Sequence, residues 1–208
     1  QLAELMDVND RDELRSALTP LVERLHHPSA STTEQVRILD GALELSPRLG
    51  ETFAEEMLAT VDSVLQEADD VVSRAVLLEK GLLVAAHFDK GEHVQSLVVH
   101  FEKELPTIVS TYLSLNIQQN PANKDKIDTI DALFSQSFRG LRKLGMREEI
   151  GRLFGRLDTL LHEQSGGKSK RGKLGSGGVG SQKLLLSLAS GWFYVGQQEP
   201  AEKIADEV

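Results

Sequence analysis

From one end to the other, the chain sets apolar stripes of helical period between short polar breaks. Leu14, Leu18, Leu21, Val22 and Leu25 form one stripe, and Val36, Leu39 and Leu43 the next. Phe53, Met57, Leu58, Val61 and Leu65 make a third. Val76, Leu77, Leu83 and Phe88 lead into a turn at Asp89-Lys90-Gly91, and Val94, Leu97, Val98, Phe101 and Leu105 leave it. Ile127, Ile130, Phe134, Phe138, Leu141 and Leu144 lead to Gly145, followed by Ile150, Leu153, Phe154, Leu157, Leu160 and Leu161. The last stripe, Leu184, Leu185, Leu186, Leu188, Ala189 and Trp192, ends at Gly196 ahead of Pro200 and Ala201. Apolar residues at steps of three and four give a helix one dry side and one wet side.

The breaks predict where helices begin and end. Asn9-Asp10 is expected to cap the first full helix, since a side-chain oxygen there accepts an orphan N–H. Pro20 removes a donor inside its stripe, so a kink or break is expected near Thr19. Ser31-x-x-Glu34 has the form of a capping box. Ser46-Pro47 is expected to end one helix and start another, with Pro at the first helical position. Asp69-Asp70 marks a further boundary. Pro106 either begins a helix over 108–117 or kinks a longer one. A polar loop over 116–126 contains Asn120-Pro121.

The turn glycines Gly91, Gly145 and Gly196 recur about every 50 residues, with Val94, Ile150 and Ile204 in equivalent places after them, a signature of helical solenoids. One hairpin carries two apolar stripes but buries only one face within itself, so neighbours must stack on the other. The expected fold is all-α: antiparallel helix hairpins stacked into an α-α superhelix. Residues 1–164 form the array, 165–182 a flexible Gly- and Lys-rich loop, and 183–208 a final hairpin. The sequence starts without Met and stops inside a helical pattern, so a fragment of a longer chain is expected.

The final hairpin resembles a tetratricopeptide repeat. Leu185, the Leu188-Ala189 pair, aromatic Trp192, turn residue Gly196 and small Ala201 stand at that family's spacing. The hairpins around Gly91 and Gly145 keep the turn without the small residues, with Ser96 and Ile150 taken as the equivalents of Ala201. The long interval is closer to HEAT and armadillo repeats than to the ~34 residues of the tetratricopeptide family. The resemblance, clearest over 184–208, implies recognition of a protein or peptide on a concave surface and no catalytic residue.

Composition narrows this further. The net charge is −9, although Lys168, Lys170, Arg171 and Lys173 are clustered in one segment. The rest is more acidic still, which argues against a groove that tracks nucleic-acid phosphates. There is no cysteine, so no disulfide, thiolate metal site or Cys nucleophile can form. A cytoplasmic setting fits. No apolar run reaches the ~18 residues of a membrane span.

Candidate chemistry is sparse. Gly166-Gly167-Lys168-Ser169 has the look of a phosphate loop's end, but His162 stands where the first glycine belongs and a helix precedes it instead of a strand. His93, His100 and Glu104 share a helix face with His87 across the turn, yet His93 and His100 lie about 10 Å apart along the axis, too far for one metal. Glu55-Glu56, Asp69-Asp70 and Glu148-Glu149 are sequence neighbours that point about 100° apart on a helix, so none forms a carboxylate dyad. No catalytic, cofactor or metal residue is assigned.

Two features remain. The basic segment could touch an anionic partner or simply be solvated. Trp192-Phe193-Tyr194 covers most of a helix circumference: either all three are core, or one ring, Tyr194 or Phe193, lines a groove and anchors a partner. The expected function is a non-catalytic protein-interaction scaffold, with Trp192, Phe193, Tyr194, Lys168, Lys170, Arg171 and Lys173 as candidate partner-binding residues. The alternative is a helical accessory or spacer domain of a larger chain, an enzyme among the options.

Overall fold

The computed structural model describes residues 8–115, 120–164 and 179–205. Among them are nine α-helices and no strand. They are α1 (Val8–Leu25), α2 (Thr32–Leu49), α3 (Glu51–Glu67), α4 (Val71–His87), α5 (Gly91–Ser114), α6 (Asn123–Lys143), α7 (Arg147–Gln164), α8 (Val179–Val195) and α9 (Gln198–Ala205). The all-α class follows directly. The chain divides into two compact units, Gln1–Leu97 and Val98–Val208, with the division falling inside α5.

In the first unit α1 packs on α2, α2 on both α3 and α4, and α3 on α4. Leu39, Leu43, Met57, Leu58, Leu77 and Leu78 are at most 2 % exposed. Truncating any one to Ala would cost about 2–5 kcal/mol through lost transfer energy and the cavity left behind. Polar contacts join the elements at their ends. Arg24 holds both carboxylate oxygens of Glu34, at 2.8 and 3.1 Å, and Gln35 donates to the Leu25 carbonyl. Asp70 caps α4 through the Ser73 amide at 2.8 Å, as the Asp69-Asp70 boundary predicts.

In the second unit α6, α7 and α8 pack mutually and α9 folds back on α8. Phe101 and Phe134 meet with ring centroids 5.6 Å apart. The Tyr112 hydroxyl donates to the buried Asp131 carboxylate at 3.1 Å.

Three turns share one geometry. Asp89, Gly145 and Gly196 have φ of 57°, 70° and 86°. The N–H of the next residue reaches back over the helix end, from Lys90 to Ala85, Met146 to Leu141 and Gln197 to Trp192, at 2.8–3.0 Å. This is the Schellman closure, which satisfies carbonyls the helix leaves bare. The carbonyl of that same residue then opens the next helix by accepting from Val94, Ile150 or Ala201.

The register of the first turn therefore differs from expectation. Its left-handed residue is Asp89 and not Gly91, because Asp tolerates that region better than most side chains. Val94, Ile150 and Ala201 are the equivalent positions, and all three are buried. Leu97, Leu153 and Ile204 follow in step, also buried. Ser96, expected to stand opposite Ala201, instead donates to the Asp62 carboxylate.

The prolines correct several boundaries. α1 runs unbroken through Pro20, and Thr19 donates its hydroxyl to the Arg15 carbonyl. α2 runs through Ser46-Pro47 and ends at Gly50, with φ of 99°. Ser46 caps nothing: it is buried and donates its hydroxyl to the Ala42 carbonyl. One proline near a helix end removes a single bond, and the packed apolar stripe around it outweighs that loss. Pro106 likewise lies inside the single helix α5. Asn9 and Asp10 fall in the first turn of α1 and not ahead of it. Ser31 does accept from the Glu34 amide, but Glu34 completes no box because Arg24 takes its carboxylate. Residues 123–126, expected in a loop, open α6, and 179–182, expected in the second loop, open α8.

Candidate functional site

α8 is held by its inner side. Leu184, Leu185 and Leu188 are at most 2 % exposed. Gly191 lets α7 come close: a Cβ there would lie 2.7 Å from the Phe154 ring. The reciprocal notch is Gly155 on α7, where a Cβ would meet the Trp192 ring at 3.4 Å. Each helix thus presses an aromatic ring onto a glycine of the other.

The triplet then separates as three consecutive helical residues must. Trp192 turns toward α7, and its Nε1 is buried with no hydrogen-bond partner among the described residues. Tyr194 turns toward α6, edge-on to Phe138 at 6.0 Å, with the Arg142 guanidinium 5.5 Å from its ring centroid. Phe193 points away from both and is 70 % exposed. A fully buried triplet is excluded. Leu186, seven residues earlier and therefore on the same face, is 50 % exposed. Exposed Ser190 stands between them.

Two basic side chains lie beside the C-terminal end of α8, Arg142 against Tyr194 and Arg147 against Gly196. Arg139 and Arg142 are exposed near the C-terminus of α6, Arg147 at the start of α7. A Cβ on Gly196 would come within 2.9 Å of the Arg147 guanidinium, which puts that side chain beside the α8–α9 turn. Among the described residues these three arginines make no ion pair. Glu148 and Glu149 both act electrostatically on Arg152, which pairs with Glu102. Lys168, Lys170, Arg171 and Lys173 lie outside the described residues.

A second surface went unseen in the sequence. α1 and α2 enclose an open groove of about 330 Å³, lined by Leu18, Leu21, Ile38, Gly41 and Leu45, among others. Leu21 is 48 % exposed there. The only signal was an apolar stripe on α1 broader than one neighbour covers. Among the described residues, no group of three or more His, Cys, Asp or Glu side chains is placed to hold a metal ion. No described helix is long and apolar enough to cross a membrane.

Over residues 1–208 the sequence matches a family described as a domain of unknown function, DUF8586. The chain belongs to that family. No curated protein and no solved structure matches it. The family description assigns no chemistry, so the function is argued from the surface just described.

Proposed function

We propose that this member of DUF8586 is a non-catalytic protein-interaction module built from repeated helix pairs. The observation that carries the reading is Phe193: a large ring 70 % exposed on a helix whose opposite side is fully buried. Exposed Leu186, two turns earlier on the same face, gives it a second apolar knob, and large apolar side chains left exposed together on one face support an interaction reading. Three turns of one geometry, with buried residues in step after each, support the finer reading of a stacked-hairpin solenoid related to tetratricopeptide or HEAT repeats. The absence of cysteine supports a cytoplasmic setting.

The test is a pair of variants. Phe193→Ala removes an exposed ring, so its melting temperature should match the parent, while capture of a partner peptide falls. Trp192→Ala removes a packed ring and should lower the melting temperature through the cavity left over Gly155. A large loss of stability in Phe193→Ala would return that ring to the core and end the proposal.

A further inference from the structure

We infer that the outer face of α8 receives an acidic amphipathic helix from another polypeptide. The inference rests on the interaction reading above and adds the chemistry of the partner. Leu186 and Phe193 stand two turns apart, about 10 Å along the axis. Exposed Ser190, small and polar, leaves a gap between them. Two knobs with a gap match the i, i+3, i+7 anchors of a second helix, whose ridge seats in that gap.

The rim decides the charge. This chain carries a net charge of −9. Yet the end of α8 that bears Phe193 is bordered by arginines: Arg142 stacks on neighbouring Tyr194, and Arg147 reaches Gly196 three residues further on. Arg139 lies one turn before Arg142 on α6. None of the three is neutralised by an ion pair among the described residues. Their guanidiniums keep donors in the fork geometry that fits carboxylates. A basic or neutral helix would meet the same apolar knobs without that complement, and a basic one would be repelled at the rim.

The test is selection of helix-biased peptides displayed on phage against the intact chain, followed by fluorescence polarisation of the synthesised winners. The winners should carry Asp or Glu beside Leu, Phe or Trp anchors. Phe193→Ser should weaken them at least about tenfold, as loss of a central aromatic anchor does. Arg142→Gln and Arg147→Gln should each weaken them about three- to tenfold, and added salt should do the same. Circular dichroism melts confirm that each variant is folded. Winners that need Phe193 but are neutral or basic, and ignore the arginines, would overturn the acidic partner while leaving the interaction surface standing. No folded-state binder sensitive to Phe193 would overturn both. If sedimentation shows self-association that Phe193→Ser abolishes, the occupant is a second copy and the inference fails.

Discussion

The Phe154 ring lies directly over Gly191 of the facing helix, so close that a Cβ there would sit 2.7 Å from its Cγ and Cδ1. Two helices meet at this spot with no side chain on one of them. Gly191→Ala must push the ring or the helix aside, and buried Phe154 has little room to move. The expected loss is about 1–3 kcal/mol, as for overpacked cores. Gly155→Ala meets Trp192 at 3.4 Å, an ordinary contact, and gains helix propensity of up to about 1 kcal/mol. Urea denaturation of the two variants should therefore move in different directions or by clearly different amounts. Equal destabilisation would mean that the notch at Gly191 is not special.

The three left-handed turn residues make an internal control. Gly145→Ala and Gly196→Ala should each cost about 1–2 kcal/mol, because a Cβ in that region crowds the following carbonyl. Asp89→Gly removes a Cβ from the same conformation, with φ of 57°. It should leave stability unchanged or improve it. A marked loss at Asp89→Gly would show that its carboxylate, and not the turn, holds that site.

A half-buried acidic cluster on α2 and α4 gives a pH signature. Burial holds the Asp40 carboxyl above the usual carboxylate range, opposed by the Lys80 charge and reinforced by Glu44. Glu79 is raised the same way, by burial first, with Asp40 and Glu44 adding to it against Lys80. One Asp40 oxygen is buried without a hydrogen-bond partner among the described residues. A carboxyl whose folded pKa is raised binds its proton more tightly in the folded state. Its penalty is absent below the unfolded value near pH 4, grows as pH rises, and is complete above the raised folded value. Asp40→Asn should thus be more stable than the parent at pH 7, with the gap closing as pH falls toward 4. Denaturant midpoints measured across that window check the sign. A variant less stable at pH 7 would mean that the Lys80 attraction outweighs burial.

In the second unit, Tyr112→Phe deletes the hydroxyl that donates to buried Asp131. A hydrogen bond to a carboxylate contributes about 1.5–3 kcal/mol, more than a neutral one. Chemical denaturation should register a loss of that order with the helical circular dichroism unchanged. A loss under half a kilocalorie would show that Asp131 finds an equal donor elsewhere.

Much of the fold was legible because burial follows periodicity. Leu39, Leu43, Met57, Leu58, Phe101 and Ile150 were placed on apolar stripes, and all are buried. The Asp70 cap and the turns at Gly145 and Gly196 followed from local chemistry, which needs only a few neighbouring residues. The prolines misled for the complementary reason. Pro20 and Pro47 carry a strong local penalty, but whether a helix ends depends on the packing that holds its two sides together, and α2 has both α3 and α4 against it. The shift from Gly91 to Asp89 is local in origin: glycine is the usual residue in a left-handed turn, but Asp also tolerates that region, and here the chain closes the helix two residues earlier.

The sequence by itself determined the helices and their apolar faces, because these depend on spacings of three to eight residues along the chain. It named Trp192, Phe193 and Tyr194 and left open whether all three are core or one ring, Tyr194 or Phe193, faces a partner. Only tertiary structure decided that Trp192 lies against α7, Tyr194 against α6 and Phe193 in solvent, because the direction that a helix presents outward is set by which neighbours cover it. The same holds for the groove between α1 and α2 and for Arg142 and Arg147 beside the end of α8. Those juxtapositions join residues far apart in the chain, and no pattern along it records them.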